Sequence, residues 1–134
     1  MIGDTLTLPD NHTLTGSIPD HTSETVVLTK VNQDAFGSEY RYRGATYDFK
    51  VLVRNSVEAP RKDGVVLNRH NVELQATLRP TVDGTVPAAV PYIASVTIRS
   101  PSLGSSADMK AFAGTLAKLI GAGTILDKLD NFES

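Results

Sequence analysis

Residues 46–55 read TYDFKVLVRN and residues 65–79 read VVLNRHNVELQATLR, and both stretches alternate. In the first, Tyr47, Phe49, Val51 and Val53 share one parity, and Asp48, Lys50, Leu52 and Arg54 share the other. In the second, Val72, Leu74, Ala76 and Leu78 are apolar, while Asn71, Glu73, Gln75 and Thr77 are polar. Successive side chains of an extended strand point to opposite faces, so each stretch carries one greasy side and one polar side. Between them, Pro60 and Asp63-Gly64 supply turn chemistry. The pattern predicts long neighbouring strands in a sheet with one face to bury and one to leave open.

Working outward, the same period recurs. Asp4–Leu8, Glu24–Val31 and Ser38–Arg43 are strand candidates, and in the last Tyr40 and Tyr42 oppose Glu39, Arg41 and Arg43. Residues 9–23 are rich in turn formers and predict a loop, with room for a short strand at His12–Thr15. A final strand is expected over Tyr92–Ser100, where Ala94, Val96 and Ile98 oppose Ser95, Thr97 and Arg99. Pro87 and Pro91 lack the amide a ladder needs, so the segment before that strand is a loop or an edge.

Near residue 101 the period changes from two to about 3.6. Ser105 or Ser106 is placed to cap a helix, with Asp108 in its first turn favouring the dipole. Met109, Phe112, Ala113, Leu116, Leu119 and Ile120 then recur at helical spacing. Gly121-Ala122-Gly123 breaks this helix, and Thr124 with Asp127 opens a second, whose stripe is Ile125, Leu126, Leu129 and Phe132. The fold class is therefore α+β: an antiparallel sheet with an N-terminal hairpin or strand, followed by two α-helices that should cover its greasy face. One domain is expected over residues 1–134, with a sheet region at 1–100 and a helical region at 101–134.

Composition sets limits on function. With 134 residues, 40% hydrophobic and 21% charged, the chain has an ordinary globular balance. It contains no cysteine, which excludes disulfides and thiolate metal ligands and fits manufacture in cytoplasm. MIGDTLTL lacks the basic start and apolar run of a secretory signal, and no stretch approaches the length of a membrane span. The net charge of −2 conceals an asymmetry: residues 30–99 carry a balance of +3 and the two ends a balance of −5. A sheet built from the middle would be basic on its open side.

No nucleophile elbow, zinc-protease signature, phosphate loop or CxxC pair is present. His12, His21 and His70 are scattered, which makes them surface histidines, and no cofactor or metal is expected. Asp10-Asn11-His12 and the pair Asp127/Asp130 could bind a cation in an assembly contact, but read first as solvated loop and helix-surface residues. The informative constellation is the polar parity: Lys50, Arg54, Asn71, Glu73, Gln75, Thr77, Ser95, Thr97 and Arg99 fall on one face across three strands. Such a face offers cations to phosphates, and amides and hydroxyls to unpaired bases.

VNQDAFGSEYRYR at 31–43 and NRHNVEL at 68–74 resemble coat proteins of the single-stranded RNA bacteriophages (leviviruses), the second most closely that of a Caulobacter RNA phage. GDTLTL at 3–8 and YDFKVLVRNS at 47–56 fit the same relatives. The resemblance implies an intertwined homodimer in which two sheets join edge to edge and each subunit's helices reach across its partner. Met109, Phe112, Leu116, Leu119, Ile120, Ile125, Leu129 and Phe132 would then form the dimer interface. Each large side chain fully buried there would contribute about 1.5–3 kcal/mol.

The resemblance further implies an icosahedral virion shell around a single-stranded RNA genome, with a single-copy maturation protein and no membrane. Dimers would also bind an RNA hairpin near the replicase start, repressing translation and directing packaging. The loop at about 80–91 would adapt at the symmetry axes, within limits set by Pro80, Pro87 and Pro91. Arg54 matches the family's inner-face arginine, with Lys50 and Leu52 beside it. Glu73 stands where relatives often carry lysine, and Ser95 where they carry a base-stacking tyrosine; Tyr92 could replace that tyrosine only through a shift of register. The same sheet would equally suit a dimeric RNA-binding regulator that forms no shell.

Overall fold

The computed structural model describes residues 3–8, 26–44, 47–78, 90–121 and 124–130. Among these, the strands are β1 (Thr5–Thr7), β2 (Val27–Gln33), β3 (Gly37–Arg43), β4 (Tyr47–Val57), β5 (Leu67–Leu78) and β6 (Val90–Pro101). They pair antiparallel in chain order, β1-β2-β3-β4-β5-β6, so every strand lies beside its sequence neighbour. Helix α1 (Ser106–Gly121) and helix α2 (Thr124–Asp130) follow. The α+β class and the strand sequence are as the periodicity predicts. The expected strand at His12–Thr15, the loop at 9–23 and most of the loop at 80–91, with Pro80 and Pro87, lie outside the described residues.

The register explains which face is buried. Tyr40 faces Val51, which faces Leu74; Tyr42 faces Phe49, which faces Ala76. The core is built from this parity: Val26, Leu28, Tyr40, Phe49, Val51 and Ala76 are buried, with Leu6, Leu8, Tyr42, Val53 and Leu74 packed against them. Tyr40 is wholly buried, and its hydroxyl donates to the Gly3 carbonyl at 2.9 Å, so its polar tip is satisfied. Lys30, on the same face, reaches Asp4 at 2.8 Å. That ammonium holds the Asp4 carboxyl below the usual carboxylate range, and the Lys30 ammonium is raised in return.

The connections carry the expected chemistry. Gly64 takes a φ of 79° in the β4–β5 turn, a conformation that glycine adopts without a side-chain clash. There its amide donates to the Arg61 carbonyl at 2.9 Å. A register shift between Lys30 and Asn32 in β2 leaves Val31 as the extra residue of a bulge. Pro91 does fall within a strand, opposite Thr77. β6 is the outer strand of this sheet, where a missing amide breaks no second ladder. Of the two candidate caps, Ser105 is the one used: its hydroxyl accepts from the amides of Ala107 at 3.2 Å and Asp108 at 3.4 Å.

One expectation is corrected. The helices do not cover the greasy face of their own sheet: no residue of α1 is buried. Phe112 is 73% exposed, Leu119 53% and Leu129 63%. Only the start of α1 lies against the sheet, where Met109 and Phe112 share a groove with Ile98 and Pro101 at the end of β6. Since β6 is the outer of the described strands, a helix leaving its end has no further strand beyond it among the described residues. The greasy face is correspondingly open on β5 and β6, where Val72 and Tyr92 are exposed.

Candidate nucleic-acid interface

The face opposite the core is laid out in rows by the strand register. Reading from β3 to β6, one row holds Arg41, Lys50, Gln75 and Ile93, and the next holds Glu39, Leu52, Glu73 and Ser95. A third holds Gly37, Arg54, Asn71 and Thr97, and a fourth holds Ser56, Arg69 and Arg99. Arg43, Asp48 and Thr77 precede the first row. All nine polar-face residues singled out in the sequence therefore share one face. The register adds three cations that parity within single strands did not single out: Arg41, Arg43 and Arg69. Arg41 and Arg43 already opposed Tyr40 and Tyr42 in sequence, but only the β3–β4 pairing shows them beside Lys50.

The rows alternate in charge. Cations stand in the Arg41–Lys50 row and again in the Arg54 and Arg69–Arg99 rows, while Glu39 and Glu73 occupy the row between. Lys50 and Arg54 are four residues apart on one strand, so the two cationic tracks run about 13 Å from each other. Neighbours on the face tie most of these groups down. Gln75 donates to Glu73 at 2.6 Å, Arg41 pairs with Glu39 at 2.6 Å, and Arg99 pairs with Glu58 at 2.6 Å. Asn71 donates to the Thr97 hydroxyl at 3.0 Å. Lys50 and Arg69 have no ion-pair partner among the described residues.

Arg54 is held by the β2–β3 turn. Its guanidinium pairs with Asp34, whose other carboxylate oxygen accepts from the Phe36 amide at 2.8 Å. That amide bond and the Arg54 guanidinium hold the Asp34 carboxyl below the usual carboxylate range. A carboxyl so lowered stays charged above its depressed value, so the pair persists at neutral pH and is lost only as the pH falls through that value. Phe36 is 66% exposed and lines a groove of about 640 Å³ with Arg54, Arg69, Asn71 and Glu73.

Tyr92 does not reach this face. The β5–β6 register runs unbroken from Leu67 opposite Pro101 to Leu78 opposite Val90, which leaves Tyr92 opposite Ala76 on the greasy side. Ser95 lies beside Glu73 on the polar side, as parity predicts. His70 sits on the greasy parity with its Nδ1 at 2.8 Å from the Asn55 side chain, while His12 and His21 lie outside the described residues. Among the described residues no group of three or more His, Asp or Glu could hold a metal ion. The residues expected at a dimer interface, Met109 to Leu129, lie on α1 and α2; Phe132 lies outside the described residues.

Comparison with known proteins gives this geometry a setting. Residues 9–101 match the family of the phage phiCb5 coat protein. The fold is similar to that of the bacteriophage EMS014 coat protein, at 22% identity and a TM-score of 0.62, covering 87% of this chain and 72% of that one. It is also similar to the virus-like particle of bacteriophage EMS014, at 21% identity and a TM-score of 0.58, with the same coverage. No curated protein sequence matches.

Proposed function

Because this chain belongs to the phage phiCb5 coat protein family, and is thus a structural protein of a single-stranded RNA phage virion with no catalytic role, we propose that it forms dimers, encloses the RNA genome and binds RNA on its polar sheet face. The observation that carries the RNA assignment is the row pattern: two cationic tracks, with the Gln75 and Asn71 amides and the Thr97 hydroxyl in the same rows, lie on the face that the core does not use. Phosphate contacts of this kind position RNA, while Asn71, Gln75, Thr77, Ser95 and Thr97 can address base edges or sugar hydroxyls. Glu73 stands in the acidic row between the tracks, so a phosphate backbone is expected to follow the tracks and avoid the centre.

The dimer is supported by two unsatisfied surfaces of the single chain. Among the described residues β6 offers an open edge, and the apolar stripe of α1 and α2 is exposed beside a greasy face that is itself open over β5 and β6. A second copy pairing along β6 would bring each helical stripe over the other subunit's uncovered strands. Such an edge, left open, invites pairing with another chain. Repression of replicase translation and selective packaging would follow if the same face also reads an RNA hairpin. With Ser95 unable to stack and Tyr92 on the other side, that selectivity must come from other groups.

Arg54→Ala tests the RNA assignment. The variant should still dimerise and assemble, but should bind single-stranded RNA more weakly, with a salt slope shallower by about 0.7 per subunit contact removed. Unchanged affinity and slope would remove the polar face from RNA binding.

A further inference from the structure

We propose that Phe36, at the tip of the β2–β3 turn, is a stacking platform for an unpaired RNA base whose flanking phosphates contact Arg54 and Arg69. This rests on the polar face being the RNA surface and specifies how a base is held there. A benzyl side chain two-thirds exposed to water gains little from burial in the described chain. The backbone beneath it is nevertheless fixed from several sides. The Phe36 amide donates to Asp34 at 2.8 Å, its carbonyl accepts from the Asn55 amide at 2.6 Å, and the Asp34 amide donates to the Gly37 carbonyl at 3.0 Å. Gly37 itself lies so close to β4 that an added Cβ would stand 2.1 Å from the Val53 carbonyl oxygen. Only glycine allows that approach, and it draws the turn down against Arg54.

The result is a flat apolar ring on a rigid mount, bordering a groove lined by two guanidinium groups and the Asn71 amide. A nucleotide presents the matching set: an aromatic face, an anionic phosphate and polar base edges. Stacking on an aromatic side chain tolerates any base, because every base has a π-face. Duplex RNA keeps its bases stacked internally and offers no free face, so the platform selects single-stranded or extruded bases. It would thereby supply the aromatic contact that neither Ser95 nor Tyr92 provides on this face.

The test compares wild type, Phe36→Ala, Phe36→Trp and Arg54→Ala as full chains, in filter binding to three probes. These are a short single-stranded RNA, a duplex of equal length and an abasic ribose-phosphate oligomer. Phe36→Ala should weaken binding of the base-bearing single strand by about 5- to 150-fold, the equivalent of ~1–3 kcal/mol per stacked base. Its salt slope and its affinity for the abasic oligomer should not change, because no charge is lost, and Phe36→Trp should bind at least as well as wild type. Electron microscopy of the shells would confirm that each variant still folds and assembles.

If Phe36→Ala binds single strands like wild type while Arg54→Ala does not, the platform is wrong and the RNA face stands. If neither substitution matters, the RNA face itself is wrong. If Phe36→Ala loses shells but keeps its RNA affinity, the ring is a contact between subunits and the platform is overturned.

Discussion

Arg54 holds Asp34 in the β2–β3 turn, and it is also the cation we propose to meet phosphate. The carboxylate offsets part of its charge, so any contribution of this residue to RNA binding would be held in check by a neighbour twenty positions earlier. Asp34→Asn keeps an acceptor for the Phe36 amide but removes the negative charge. The expected result is tighter RNA binding with a salt slope steeper by about 0.7 for each subunit engaged, measured by titration at several salt concentrations. An unchanged slope would mean that Arg54 is neutralised by RNA regardless of Asp34. Neither the pairing nor the platform was legible in the sequence. Asp34, Phe36 and Arg54 come together only through the β3–β4 register and the close approach at Gly37, and residue spacing encodes neither.

At the scale of elements, the strands and helices were legible because their periods are strong. Val72–Leu78 alternates without interruption, Tyr47–Val53 does so except at Leu52, and Met109–Ile120 repeats at helical spacing. Ends were less legible: β4 runs on to Val57 and β6 begins at Val90, where Asn55-Ser56 and Pro91 give no alternating signal. The bulge at Val31 has no signature in sequence either, since it depends on the pairing with β3. Amphipathicity showed that α1 needs a covering surface but could not say which chain supplies it. In the single chain Phe112 is mostly exposed, and replacing an exposed side chain changes stability by no more than about 0.5 kcal/mol. Buried in a dimer, Phe112→Ala should cost about 3–5 kcal/mol, read as a shift in the urea midpoint of the assembled protein. A shift near zero would place the helices outside the interface.

At the scale of the whole molecule, the coat assignment concerns what the chain builds. The expressed protein should sediment as large shells with nucleic-acid absorbance, and electron micrographs should show closed particles. A protein that remained dimeric under every salt and RNA condition would fit the rival reading of an RNA-binding regulator. Subunit and shell also differ in when they can form. Because β1 to β6 pair strictly in chain order, each new strand emerging from the ribosome finds its partner already made, and every step after β1–β2 closes a connection of at most 11 residues. The two helices are synthesised after the sheet, so the surfaces that would commit one subunit to another are the last to appear. Such an order separates two time scales: a subunit can complete its ladder alone, while pairing waits on concentration.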